Sequence, residues 1–235
     1  MVGFSKVGKN QVLTFKWTCD IKCQTCSRFF TKKMNLGLRL GDIKGAAGSS
    51  YVELNGTKVF SAVYGPMEPD MQQQDSAVSG IIECFIEDAF QADDKFLEGL
   101  QHKFHHTFSA AIHHETYFKT LIRLSFTIVT RGPSLADAIA LAGSMALVDA
   151  GIEMNDFVVS CTVGLVNGEY VPFSPSECSV RVAILPSNDE IVETEVIGKI
   201  DPSNVLKAVN SAIDGCKELR NSVQKFMNES VLNLA

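Results

Sequence analysis

Several groups of residues have the types and spacing to do chemistry. Cys19, Cys23 and Cys26 in "CDIKCQTC" contain a CxxC, the half-site of many structural zinc centres. Such a centre needs four ligands, and no second CxxC or histidine pair follows at finger-like spacing. The thiols are therefore read as free, with no metal. His102, His105, His106, His113 and His114 fall on or beside one predicted helix. His102 and His106 stand i,i+4, a workable metal geometry. No HExxH is present, so the sequence reads them as a polar helix face and assigns neither metal nor cofactor. Lys6, Lys9, Lys32, Lys33 and Arg39 form the one basic-leaning region. A local patch of this kind is what an RNA contact would need in a chain of net charge −6. Lys32, Lys33 and Arg39 are the RNA-binding candidates.

The elements that must position these groups are legible in the apolar pattern. "SSYVELNG" and "TKVFSAVYGP" alternate polar and apolar residues around Asn55-Gly56, a strong hairpin signal. "GIIECFIEDAF" reads as a third strand. Leu97, Leu100, Phe104, Phe108 and Ile112 recur at helical spacing over 96–114. "LIRLSFTIV" is a strand, after which Ser134 opens a helix capped by Gly151. The many Ala, Gly and Ser residues of that helix predict close packing against another backbone. A second hairpin is expected at Asn167-Gly168, then strands "CSVRVAILP" and "EIVETEVIG". Asp201-Pro202 then starts a long helix with Val205, Val209, Ile213, Leu219, Val223 and Phe226 on or near one face. The regular pattern is expected to begin at Gly41. Strands and helices are grouped rather than alternating, which predicts α+β layers.

The chain has 235 residues and 46% hydrophobic content, enough for a real core. Seven cysteines at irregular spacing suit a reducing compartment better than a disulfide framework. No apolar run reaches membrane-spanning length, and "MVGFSKVGKNQVLTFKW" lacks a signal-peptide apolar region. The expectation is an intracellular protein with no membrane partner.

"GSSYVELNGTKVFSAVYGP" resembles the N-terminal hairpin of the RNase PH family, and "SLADAIALAGSMALVDAGIEMNDFVVSCTVGLV" resembles that family's central helix and following strand. The likeness covers roughly residues 36–230. It implies an S5 domain 2-like, RNase PH-like fold, with duplicated βαβ-type halves and two sheets with central helices. The implied organisation is an N-terminal extension over 1–35 and one RNase PH-like domain over 36–235. Within the family, "LVDAGIEMNDFVV" and the long last helix with "GCKEL" look like the eukaryotic RNA exosome ring subunits of the mRNA-transport-regulator type. That likeness implies a six-membered ring of RNase PH-like subunits, cap subunits of the S1/KH type and RNA threaded through the assembly. It also implies a location in nucleus, nucleolus and cytoplasm.

Active members of the family cleave RNA from its 3′ end by phosphorolysis, so two anionic groups must be held together. Arginine suits that task because its fork matches phosphate oxygens. Active relatives carry an arginine-rich segment after the third strand; this chain has "EDAFQADDKFLEG", with Glu87, Asp88, Asp93, Asp94 and Glu98 against Lys95. The family's Tyr/His-Pro-Arg-Ser phosphate stretch corresponds to "YFKT", which leaves Lys119 and Thr120 as a phosphate-binding remnant. The family's acidic pair falls in "NGEYVPFSPSECS", where Phe173 takes the first aspartate's place and Glu177 alone remains. The resemblance therefore implies no catalytic residues and a non-catalytic ring subunit. The alternative is an active phosphate-dependent 3′→5′ exoribonuclease.

Overall fold

The computed structural model describes residues 17–19, 34–69, 80–89, 94–166, 169–174 and 176–232. In chain order these form β1 (Trp17–Cys19), β2 (Met34–Leu40), β3 (Gly48–Leu54), β4 (Thr57–Met67), β5 (Ile81–Asp88), α1 (Asp94–Ala111) and β6 (Leu121–Thr130). Then follow α2 (Leu135–Ala150), β7 (Val159–Val166), β8 (Glu169–Pro172), β9 (Ser179–Leu185), β10 (Glu190–Ile197) and α3 (Pro202–Leu232). A six-stranded sheet runs β1-β2-β3-β4-β6-β5 and a four-stranded sheet runs β10-β9-β7-β8. No described helix is long and apolar enough to cross a membrane.

α2 lies between the sheets, packed on β3 and β4 on one side and on β7 on the other. That position explains why residues 137–148 are all buried. α3 covers the outer face of the four-stranded sheet through β7, β8 and β9. β9 is accordingly buried at every residue, whereas β5 and β6 alternate between core and the open outer face of the first sheet. The layers are sheet, helix, sheet, helix, the α+β architecture that the element order predicts.

Local chemistry accounts for the punctuation. Asn55 and Gly56 both take positive φ, 49° and 85°, as a type I′ hairpin turn requires. Gly151 sits at φ 71° and ends α2 with its N–H on the carbonyls of Leu147 and Val148. The small residues of α2 meet backbone as expected: a Cβ on Gly48 of β3 would stand 2.1 Å from the Ala150 nitrogen and 2.5 Å from the Ala146 carbonyl oxygen. Ser50 Oγ donates to the Ala142 carbonyl at 2.7 Å, and Ser144 Oγ to that of Val158 at 3.0 Å. On the other side of α2, Gly143 leaves room for Phe108, which packs with Phe104 and Phe126 at ring separations of 5.9–6.4 Å.

Two elements differ from the sequence reading. The regular pattern starts earlier than Gly41: β2 buries Met34, Leu36 and Leu38 and turns Asn35, Gly37 and Arg39 away from the core. Gly37 interrupts the β-rich composition that would have marked the strand. In α3 the fully buried stripe is Ala208, Ala212, Cys216, Leu219, Val223 and Phe226. Val205, Val209 and Ile213 flank it half-buried. The helix sits close to the sheet here, because a Cβ on Gly215 would stand 2.6 Å from Cys161 Sγ; small residues take the closest line and larger ones the shoulders.

A charge network ties β9 and β10 to α1. Arg181 is 3% exposed in its side chain and bonds Glu193 at 2.6 Å and Glu195 at 3.1 Å, while Lys103 pairs with Glu195. Thr107 Oγ1 donates to Glu193 at 3.0 Å. Burial alone would raise the Glu195 carboxyl, but Lys103 and Arg181 outweigh it and hold the group below the usual range. A depressed carboxylate adds stability that is complete above the unfolded value near 4.5 and is lost as pH falls through the native value. Glu195→Gln is expected to cost about 1 kcal/mol at pH 7. Urea midpoints of variant and wild type should draw together as pH falls below 4.5; a gap that does not narrow on acidification would refute the assignment.

Candidate functional site

Arg131, Asp88 and Asp137 stand where β5 and β6 end and α2 begins. β6 ends at Thr130, and Arg131, Gly132 and Pro133 lead into Ser134, the residue before α2. β5 runs parallel to β6 and ends beside it, with Asp88 opposite Ile128. From the opposite sheet, β7 brings Ser160 and Thr162 under the first turn of α2, and Phe173 follows β8 one residue past the Pro172–Val163 pair.

A helix N-terminus presents unpaired N–H groups and positive dipole, and so attracts anions. Here the anion nearest that first turn belongs to the chain. Asp137 is fully buried and accepts from Ser160 Oγ at 2.8 Å, Thr162 N at 3.0 Å and Thr162 Oγ1 at 3.2 Å. Burial pushes its carboxyl above the ordinary range, against the pull of Ser160, Arg181 and Thr162. Ser134 is itself buried, and its Oγ accepts from Asn55 Nδ2 at 3.4 Å.

The cation at this end is already engaged. Arg131 Nε bonds the Asp88 carboxylate, whose side chain is 1% exposed, and the guanidinium lies 5.1 Å from the Phe96 ring centre. Glu87 is exposed beside them, and with Tyr64, Phe85, Arg123 and Ser125 it lines a shallow groove of about 330 Å³ on the outer face of the first sheet. Arg123 is committed there to Glu83 at 3.0 Å. Phe173 is 2% exposed and held at φ 54°, a backbone state costly for a bulky side chain. A hydrogen bond from its backbone acts on the Cys161 thiol. Its side chain fills core volume where a carboxylate would need solvent.

The sequence-derived candidates do not share this place. Lys119 and Thr120 precede β6, whereas Arg131 follows it; ten residues of strand separate the two ends by about 30 Å. Lys119 is exposed at φ 53°, with Nζ 5.6 Å from the Phe118 ring centre. The Thr120 hydroxyl is used within its own turn, donating to the Tyr117 carbonyl at 2.9 Å. Arg39 lies on β2, 4.4 Å over the Tyr51 ring and 3.5 Å from Asp42. Cross-strand pairs Arg39–Tyr51–Phe60–Thr127–Glu87 put about 19 Å of sheet between Arg39 and the acidic strand end. Lys32, Lys33, Cys23, Cys26, Asp93 and the Asn167-Gly168 turn lie outside the described residues. Among the described residues, no cluster of three or more His, Cys, Asp or Glu could hold a metal.

Arg131 and Asp137 carry most of the electrostatics here, and the sequence reading singled out neither. Arg131 had a readable signal in "TRGPSL", a cation just before a helix start. Asp137 had none, because an acid in a helix's first turn is commonplace at the surface and only the second sheet buries it.

Residues 34–153 match the family model described as "3′ exoribonuclease family, domain 1", of the RNase PH type. The exosome complex component Rrp41 of Methanopyrus kandleri is 28% identical over 208 residues, covering 83% of this chain and 87% of that protein. By fold, rice (Oryza sativa) Rrp46 superposes with a TM-score of 0.72 at 16% identity, over 79% of this chain and 91% of that one. A chain of an archaeal exosome core gives 0.68 at 20% identity, over 84% and 89%. With two sheets enclosing α2 and half the sequence matching the family model, the chain belongs to the 3′ exoribonuclease family of the RNase PH type.

Proposed function

We propose that this chain is a non-catalytic structural subunit of an RNA exosome core ring, supporting 3′→5′ processing and degradation of RNA without cleaving it. The observation that carries the reading is the state of the α2 entrance. The arginine there is bonded to Asp88, Asp137 in the first turn is buried against Ser160 and Thr162, and Phe173 fills the place expected of a carboxylate. A phosphate and a phosphodiester would meet carboxylates where they need cations. The exosome names of the relatives support placing the chain beside other RNase PH-like subunits with RNA passing through, and S1/KH-type caps above the ring belong to the proposal alone. The mRNA-transport-regulator position, the nuclear, nucleolar and cytoplasmic location, and a modest pull on RNA by Arg39, Lys32 and Lys33 belong to the same proposal.

The purified chain, given a 5′-labelled single-stranded RNA and inorganic phosphate, is expected to release no nucleoside diphosphate. Phosphate-dependent release of nucleoside diphosphate would overturn the reading, whether or not Lys119→Ala lowers it. It would favour the alternative, an active phosphorolytic exoribonuclease, which the family description supports. Partners identified after co-purification from the native cell test the ring assignment separately.

A further inference from the structure

α1 lies along β5, the edge strand of the six-stranded sheet, and side chains of α1 and of the segment after it cap the open edge. Gln101 Nε2 donates to the Ile86 carbonyl at 3.3 Å, the His105 ring hydrogen-bonds the backbone of Ile82, and His114 contacts the carbonyls of Gly80 and Ser109 at 3.1 and 2.7 Å. His105 and His114 are thus occupied as structural groups, and His113 lies beyond the helix end. His102 and His106 differ. Both are exposed, one turn apart on the solvent face of α1, and no described hydrogen bond engages either ring. Their ring centres are 4.6 Å apart at 81°.

We propose that His102 and His106 form a two-imidazole site for a divalent transition-metal cation of the nickel, copper and zinc class. Imidazole nitrogen is the favoured donor for these borderline ions. Metal–nitrogen distances near ~2.1 Å bring two ligating nitrogens to about 3 Å from each other. Rings one helical turn apart, with centres at 4.6 Å, reach that separation by side-chain rotation alone. His105 stands 5.4 Å from His106, but it points to β5 and its ring is held on the Ile82 backbone, so it does not join. With no third ligand at hand among the described residues, water completes the shell and the ion exchanges freely. The bound cation bridges a turn of α1, stiffening the helix that covers the β5 edge. The site stands on the solvent side of α1, apart from the α2 entrance, and does not depend on any reading of the phosphate chemistry.

Ni²⁺ is the probe, because the chain's thiols compete more strongly for softer ions. Calorimetric titration of the full chain with NiCl₂ at pH 7.5 in a non-chelating buffer is expected to show one saturable site. His102→Ala and His106→Ala should each weaken it tenfold or more, and His105→Ala should leave the affinity within twofold. All three variants carry surface or helix-face changes, and circular dichroism checks that they fold. Ni²⁺ should also raise the thermal midpoint of wild type and not of the two ligand variants. Wild-type affinity in both His102→Ala and His106→Ala, or an equal loss in His105→Ala, would overturn the site, as would the absence of saturable binding up to millimolar Ni²⁺.

Discussion

Asp137→Ala should lower the unfolding free energy by on the order of 4 kcal/mol, the largest single-site loss expected away from the aromatic core. The carboxylate accepts from Ser160 Oγ, Thr162 N and Thr162 Oγ1 in a place that water does not reach, since Asp137 is 0% exposed and Ser160 is equally sealed. Alanine leaves three buried donors without an acceptor, each worth about 1–3 kcal/mol when orphaned. Partial relaxation of the hydroxyls keeps the total below the sum. Ser160→Ala removes one donor together with its own need and should cost about 1 kcal/mol. The double variant should cost less than the two single losses added, because both act on one network. Urea unfolding at pH 7 measures all three. A loss under 1 kcal/mol for Asp137→Ala would mean that the network is not what joins α2 to the second sheet.

Gly48→Ala is the second large effect, about 3 kcal/mol or failure to accumulate folded protein. The added methyl would stand 2.1 Å from the Ala150 nitrogen, 2.5 Å from the Ala146 carbonyl oxygen and 2.6 Å from the Ala150 Cα. All three are backbone atoms of α2, so no side-chain rotation relieves the clash; β3 or α2 must move. Gly99 provides the opposite case. It lies exposed inside α1 with nothing within 4 Å of its ideal Cβ, so Gly99→Ala should stabilise by about 1 kcal/mol through helix propensity alone. Thermal unfolding of the pair separates packing from propensity. Equal behaviour of the two variants would contradict the close approach of β3 to α2.

The elements themselves were readable because their signals are short-ranged. Alternation in "TKVFSAVYGP", the Asn55-Gly56 turn and the Gly151 cap each depend on residues within a few positions, and each appears where the pattern puts it. β2 escaped because Gly37 breaks the composition of an otherwise clean alternation. In α3 the pattern found Leu219, Val223 and Phe226 of the buried stripe, but in the first half of the helix the sheet took Ala208, Ala212 and Cys216 in place of Val205, Val209 and Ile213.

At the α2 entrance the acidic residues ending β5 were legible by type, and the groups they meet were not. The acidic segment ending β5, the missing arginines and the Phe173 replacement could be read from letters, since each is a matter of residue type at a motif position. Their relation to Lys119 could not. A strand ten residues long carries two neighbours in sequence to opposite ends of a sheet, so Lys119 and Arg131 end up far apart while Asp137, Ser160 and Phe173, from three different segments, converge. Fold class, turns, caps and family membership are thus properties of local pattern and motif order, and the amino-acid sequence determines them directly. Which carboxylate is sealed under α2, which arginine is bonded and which histidines remain free depend on contacts between residues tens of positions apart. Burial and desolvation arise only when the two sheets close on α2, and only the tertiary structure decides them.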